Sequence, residues 1–331
     1  MGAFEVAIER LETQPVVVLD DVARGRRVRI ARHGACVLGI EATVRGQRME
    51  LADGYHDAGE LLARPGSRFA VLAPFANRVA DARYRFDGID HDLLPEAAGP
   101  ARASRHGFVR DADFVLAALD AGQQAASVLL ATHMPPQPGY PFALDLAIRY
   151  TLAADGLTLE TTLCNVGGEA APAFAGWHPY FRVGQATLDG WELSIPATCV
   201  IRTDADFIPL AGKAAYQPLA QAPTLDFRRP RAVGSLELNH TYAGLQADAD
   251  GRVRSRLRDP AGGLGLAVWQ EYGVLLAFTG DTLARGARRS LALEPMASLP
   301  DAFNRPDCAE AIRLEPGAAR TFRCGVEIDT P

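Results

Sequence analysis

The sequence predicts an all-β protein built around one large antiparallel sheet system. Three observations carry that reading. Apolar and polar residues alternate with a period of two over several long stretches, the signature of strands with one face buried. The 331 residues include 31 glycines and 22 prolines, an excess that implies many turns and therefore many short strands. Helix signals are sparse, and no linker, internal repeat, low-complexity run or break in composition divides residues 1–331, so a single domain is expected.

Taken along the chain, His56–Ala63 reads as a turn or two of helix. Ala82, Tyr84 and Phe86, then Asp87-Gly88, then Ile89, His91 and Leu93 read as a hairpin, since an Asp-Gly pair accepts the positive φ of a tight turn. Ala112–Ala131 is alanine-rich and favours helix by propensity, but Asp120-Ala121-Gly122 interrupts it, and the reading taken is two strands around a turn. The cleanest alternation runs through Leu144, Leu146, Ile148, Tyr150 and Leu152. It turns at Ala153-Ala154-Asp155-Gly156 and resumes through Leu157, Leu159, Thr161 and Leu163. Trp191, Leu193 and Ile195 form a short strand closed by Pro196. A further hairpin is expected around Asp250-Gly251, with Val253, Ser255 and Leu257 on its outgoing arm. Phe322, Cys324, Val326 and Ile328 make the last strand.

Composition excludes several classes. Apolar residues are 48%, charged 22% and aromatic 8%, which rules out disorder and collagen-like sequence. No run approaches the ~18 apolar residues of a membrane span. The net charge of −6 provides no electrostatic footprint for nucleic acid. Lys213 is the only lysine among 34 basic residues, which reads as codon bias. Five cysteines, odd in number and widely spaced, argue against a disulfide framework and a zinc ribbon. Met1–Arg10 lacks the apolar core of a secretory signal, so cytoplasm is the expected compartment.

Four segments depart from the alternation and gather polar residues beside aromatics and prolines: Pro74–Arg78, Arg105–Arg110, Gly176–Phe181, and Leu293–Met296 leading to Pro300–Asn304. Singly, each is unspecific. Together and in this order they resemble the aldose 1-epimerase (galactose mutarotase) family. Asn77-Arg78-Val79 followed by Tyr84-Arg85-Phe86-Asp87-Gly88 resembles its early Asn-Arg segment and hairpin. His106-Gly107 with Arg110 resembles its His-Gly segment, and Gly176-Trp177-His178-Pro179-Tyr180-Phe181 its central histidine motif. Phe278-Thr279-Gly280-Asp281 precedes Glu294-Pro295-Met296 and Pro300-Asp301-Ala302-Phe303-Asn304, which resemble the glutamate motif.

The resemblance implies a large antiparallel β-sandwich, the mutarotase-like supersandwich, with a sugar cleft across one face. It also implies His178 as general acid, Glu294 as general base, and Arg78 and His106, with Asn77 and Asn239, on the sugar. The family often has an aspartate where Asn239-His240-Thr241-Tyr242 stands; the asparagine can still accept and donate hydrogen bonds to a sugar hydroxyl but carries no charge. Trp177, Tyr180, Phe181, Phe75 and Phe303 are candidates for stacking on the sugar.

The expected activity is interconversion of the α and β anomers of a free aldohexose. The alternatives are a hexose 6-phosphate 1-epimerase and a non-catalytic carbohydrate-binding protein. A glycoside hydrolase would want two carboxylates flanking the bond. No cofactor and no metal are expected, since no ligand spacing is visible. The expected partner is a small sugar, with neither nucleic acid nor membrane, and the chain is expected to be a monomer or homodimer.

Overall fold

The long central hairpin sets the frame. Leu144–Ala153 pairs along its whole length with Gly156–Asn165, and Leu144, Leu146, Ile148, Tyr150 and Leu152 are all buried. Gly156 is required at the start of the outgoing strand: its φ is +144°, and a Cβ there would lie 2.0 Å from the Val326 carbonyl oxygen of the next strand. In the computed structural model, which describes residues 3–96, 102–184 and 187–329, strands dominate and the two α-helices are short.

From this hairpin a nine-stranded antiparallel sheet extends in both directions. On one side lie Ala125–Met134 and, at the edge, Val115–Ala121; on the other lie Ala319–Asp329, Gly265–Gln270, Val253–Arg258, Glu192–Ser194 and Arg231–Ala232. A second, eight-stranded sheet runs through Tyr216–Pro218, Cys199–Ile201, Asn239–Ala243, Val274–Phe278, Leu291–Met296, Gly176–Trp177 and Val71–Leu72, with Tyr180–Phe181 also paired to Leu291–Met296. An N-terminal meander of five strands, from Phe4–Leu11 to Gln47–Glu50, packs its Gln14–Asp21 strand over Ala125–Met134 and Leu144–Ala153. One continuous cluster of buried apolar side chains runs from Phe4 to Ile328.

The alanine-rich stretch is two strands, Val115–Ala121 and Ala125–Met134, so pairing with the central hairpin overrides helix propensity. The short helix is Ala58–Ala63, capped by the Asp57 carboxylate on the Glu60 N–H. Asp87 and Gly88 both have positive φ, as the tight turn between Arg83–Phe86 and Ile89–Asp92 requires. The hairpin expected at Asp250-Gly251 does not form. Those residues make a turn, but Val253–Arg258 pairs with Glu192–Ser194 and Gly265–Gln270, and the chain before the turn belongs to the other sheet. A turn motif alone does not dictate which strand answers it. All five cysteines are free thiols.

A buried ionic hub ties the sheets to the loops above them. The Asp53 carboxylate, 1% exposed, accepts hydrogen bonds from Arg68, from Arg182 at 2.5 Å, from Arg285 at 3.0 Å and from Ser290 Oγ at 2.7 Å. Burial works to raise its pKa, and Arg68, Ser290 and Arg182 together outweigh that and hold it below its ordinary value. The stabilisation is therefore present at neutral pH and is lost as the pH falls through the folded-state value. Asp53→Ala strands the fully buried Arg68 and is expected to cost about 3–5 kcal/mol in denaturant unfolding, because removing one partner leaves an uncompensated buried charge. A cost below ~1 kcal/mol would show that the hub contributes nothing net.

Candidate active site

Glu294 sits in the middle of Leu291–Met296, a strand buried at every position. Its register partner is Leu276, so the sheet ladder fixes its backbone on that side. His178 follows the short strand Gly176–Trp177, and its backbone is held from both directions: its N–H donates to the Ala70 carbonyl, and its carbonyl accepts from the Phe69 N–H. Between them, these ladders bring His178 Nε2 to 3.3 Å from Glu294 Oε1. His178 Nδ1 and Glu294 Oε2 are buried and have no hydrogen-bond partner among the described residues.

The His178 ring stacks on Tyr180 with centroids 5.0 Å apart and planes 14° from parallel. The Arg68 guanidinium lies 5.0 Å from the centre of the Tyr180 ring, and the Tyr180 hydroxyl donates to the Gly66 carbonyl. The imidazole thus rests on a platform held by the Asp53 hub. His106 meets His178 edge-on at 5.1 Å between centroids.

His106 and Gly107 both have φ of +67°. At Gly107 a Cβ would lie 1.9 Å from the Ala73 carbonyl oxygen, so only glycine allows this segment to pair with Ala73 and present His106 inward. Asn77, also at positive φ, accepts from the His106 N–H through its carbonyl. Its side-chain oxygen accepts from the Arg78 N–H at 2.9 Å and from the Arg78 guanidinium at 3.2 Å. Asn77 lines the cleft, but its oxygen is spent on orienting Arg78. Asp301 fastens the same strand, taking the Ala80 N–H at 2.9 Å and donating its own N–H to the Arg78 carbonyl.

These groups line one cleft of about 710 Å³, within the usual range for a small-ligand site. Asn77, Arg78, His106, His178, Asn239 and Glu294 all border it. It also takes in Arg105, Arg110, Phe207, Glu237, His240 and Asp281, which sequence reasoning did not assign. The aromatic expectations need correction. Trp177, Phe181, Phe75 and Phe303 are buried in edge-to-face clusters and lie outside the cleft lining, whereas Tyr180, Phe207 and Phe278 line it. In an alternating strand, neighbours of a site residue point to the opposite face.

Burial pushes the Glu294 carboxyl well above its ordinary value, with Arg78 pulling the other way, and pushes the His178 imidazole down to about 3. His106 is pushed well below its ordinary value by burial and then by His178 and the neighbouring arginines. Low polarity disfavours a charge on either member of the His178–Glu294 pair alone. An imidazole and a carboxyl group this close are chemically able to give a proton at one atom and take one at another. His106, His178 and Glu294 also place one potential ligand atom each within 4.8 Å of one another, a grouping that sequence spacing could not reveal.

The chain is 29% identical over 237 residues to the uncharacterized protein YihR of Escherichia coli, covering 71% of each chain. It is 27% identical over 314 residues to the galactose mutarotase of Homo sapiens, covering 88% of this chain and 87% of that one. The structure of galactose 1-epimerase from Lactobacillus acidophilus superposes with a TM-score of 0.81 at 15% identity, covering 99% of both chains, and so shares the fold. The family model for aldose 1-epimerase matches residues 15–327, a span that contains every segment assembled around the cleft, and the protein belongs to that family.

Proposed function

We propose that the protein is an aldose 1-epimerase in which His178 and Glu294 open and close the ring of an aldohexose, the whole chain serving as one unit around the cleft. The carrying observation is the 3.3 Å approach of His178 Nε2 to Glu294 Oε1, two residues that both line the cleft. In the reactive form the pair's one proton sits on His178, and Glu294 takes the proton of the C1 hydroxyl as the C1–O5 bond breaks and the C1 carbonyl forms. His178 gives a proton to O5. Rotation about C1–C2 presents the other carbonyl face, and the reverse transfers close the ring as the opposite anomer. Atoms and charge balance without redox, so an imidazole and a carboxylate suffice.

Arg78 and His106 contact the ring oxygen and hydroxyls in this reading, the cation steadying charge that builds on O5. Asn239, opposite Phe278 in the sheet ladder, borders the cleft and offers both a donor and an acceptor to a hydroxyl. Retention of a matched acid and base disfavours a pure sugar binder.

Glu294→Gln keeps the shape and removes the base. We expect kcat for anomer exchange, followed by polarimetry, to fall by about 10²–10⁴ with KM little changed. Near-normal turnover by the folded variant would reject the assignment. The pH profile provides a second check. A second proton enters the pair only near the lowered histidine value, so kcat/KM should stay level from roughly pH 7.5 down to about 4.5, a window that contains the ~6.5 at which an ordinary histidine titrates. A loss centred inside that window would contradict a singly protonated pair. Exhaustive chelation should leave exchange unchanged. Activity lost on chelation and restored by one divalent cation would make His106, His178 and Glu294 a metal centre instead.

A further inference from the structure

A sheet edge exposes unpaired backbone N–H and C=O groups, and proteins blunt such edges with charge, proline, brevity or cover. The three large sheets follow that rule, with one exception among the described residues. The nine-stranded sheet ends on one side in Arg231–Ala232, a strand of two residues directly after Pro230. The eight-stranded sheet ends in Tyr216–Pro218, which carries a proline, and in Val71–Leu72, which is buried. The N-terminal meander ends in Phe4–Leu11 and Gln47–Glu50, and both strands carry charges of either sign. The exception is Val115–Ala121, at the other end of the nine-stranded sheet. It is seven residues long, exposed at every position, and has a single charge, Asp120. Val115 is 58% exposed, Leu116 37% and Leu119 41%.

The strand also bulges: its register against Ala125–Met134 shifts between Leu116 and Ala118. In a regular strand, residues three apart point to opposite faces. Here the extra residue puts Leu116 and Leu119 on the same inner face, where their ladder partners Leu130 and Val128 are fully buried. Val115 and Asp120 share the outer face, opposite the half-buried Ala131 and Ser127. A two-fold axis between Ala117 and Ala118 therefore matches this edge to itself. Leu116 comes opposite Leu119 of the copy, twice, on the inner face, and Val115 comes opposite Asp120 on the outer one. Aspartate never meets aspartate, and the small alanines sit at the axis where the two bulges approach. Phe4–Leu11 packs against this strand and carries Ile8, itself 56% exposed.

We propose that Val115–Ala121 is a homodimer interface, in which two copies pair antiparallel about that axis and join their nine-stranded sheets edge to edge. A foreign strand would satisfy the same backbone groups. Self-pairing, however, covers the exposed leucines of both chains at once and closes at two copies. The inference is independent of the acid–base reading, since no residue of the cleft takes part. Seven residues at about 3.4 Å each give a contact only ~24 Å long, so the dimer is small in area and reversible.

Sedimentation velocity of the full chain from about 1 to 500 μM tests the proposal. The mass should rise from one chain to two across that range and no further. Leu119→Arg sets a cation opposite Leu116 and should weaken association at least ~10-fold, with circular dichroism confirming the fold. Cross-linking reads the register. Under mild oxidation, the chain carrying both Leu116→Cys and Leu119→Cys should form a covalent dimer. Either substitution alone should not, nor should the unsubstituted chain with its five free thiols. Should Leu119→Arg fail to fold, the cross-linking pattern decides alone. A one-chain mass throughout, growth beyond two, a dimer indifferent to Leu119→Arg, no cross-link in the double variant, or equal cross-linking in the single ones would each overturn the proposal.

Discussion

Everything in this cleft depends on holding a carboxylic acid and an imidazole in contact where water does not reach them. Glu294 is 2% exposed and His178 5% exposed. In water both groups would titrate independently and neither would be matched to the other. Burial raises the acid and lowers the base, and the two groups lie 3.3 Å apart. The cost is desolvation, and the protein offsets it by keeping the pair's net charge near zero rather than by adding counter-ions at hydrogen-bonding distance.

Rigid placement of the pair comes from backbone, while its surroundings come from side chains. Glu294 is carried inside a strand laddered on both sides, and His178 is pinned by its own N–H and carbonyl. Beneath the imidazole, Tyr180, Arg68 and Asp53 form a column that ends in the most heavily hydrogen-bonded carboxylate of the molecule's interior described above. On the other wall, Asn77 and Asp301 hold Arg78, and the glycine at 107 lets His106 approach. Segments that are unremarkable one at a time, such as Pro300–Asn304, turn out to be braces for the cleft.

Much of the frame was legible in the sequence because the central hairpin alternates so strictly: Leu144, Leu146, Ile148, Tyr150 and Leu152 are all buried, as their shared parity requires. The alanine-rich strands were readable only through the turn that interrupts them. Pairing partners were not readable. Asp250-Gly251 turns without making a hairpin, since which strands meet is settled by the whole sheet and not by a local motif. The segments bordering the cleft could be named in advance through their family resemblance. Their functional order could not, because strand parity sends Trp177 to the core while His178 and Tyr180 reach the cleft, and because Glu237 and Phe207 lie in stretches without any motif.

The central claim is that His178 and Glu294 act as one proton-sharing unit. A double-mutant cycle on anomer exchange tests it most directly, using Glu294→Gln, His178→Asn and the two combined. The account predicts that the double variant is no slower than the worse single variant within about threefold, since either change disables the unit. Losses that multiply would contradict it, because they would mean that the two side chains act independently.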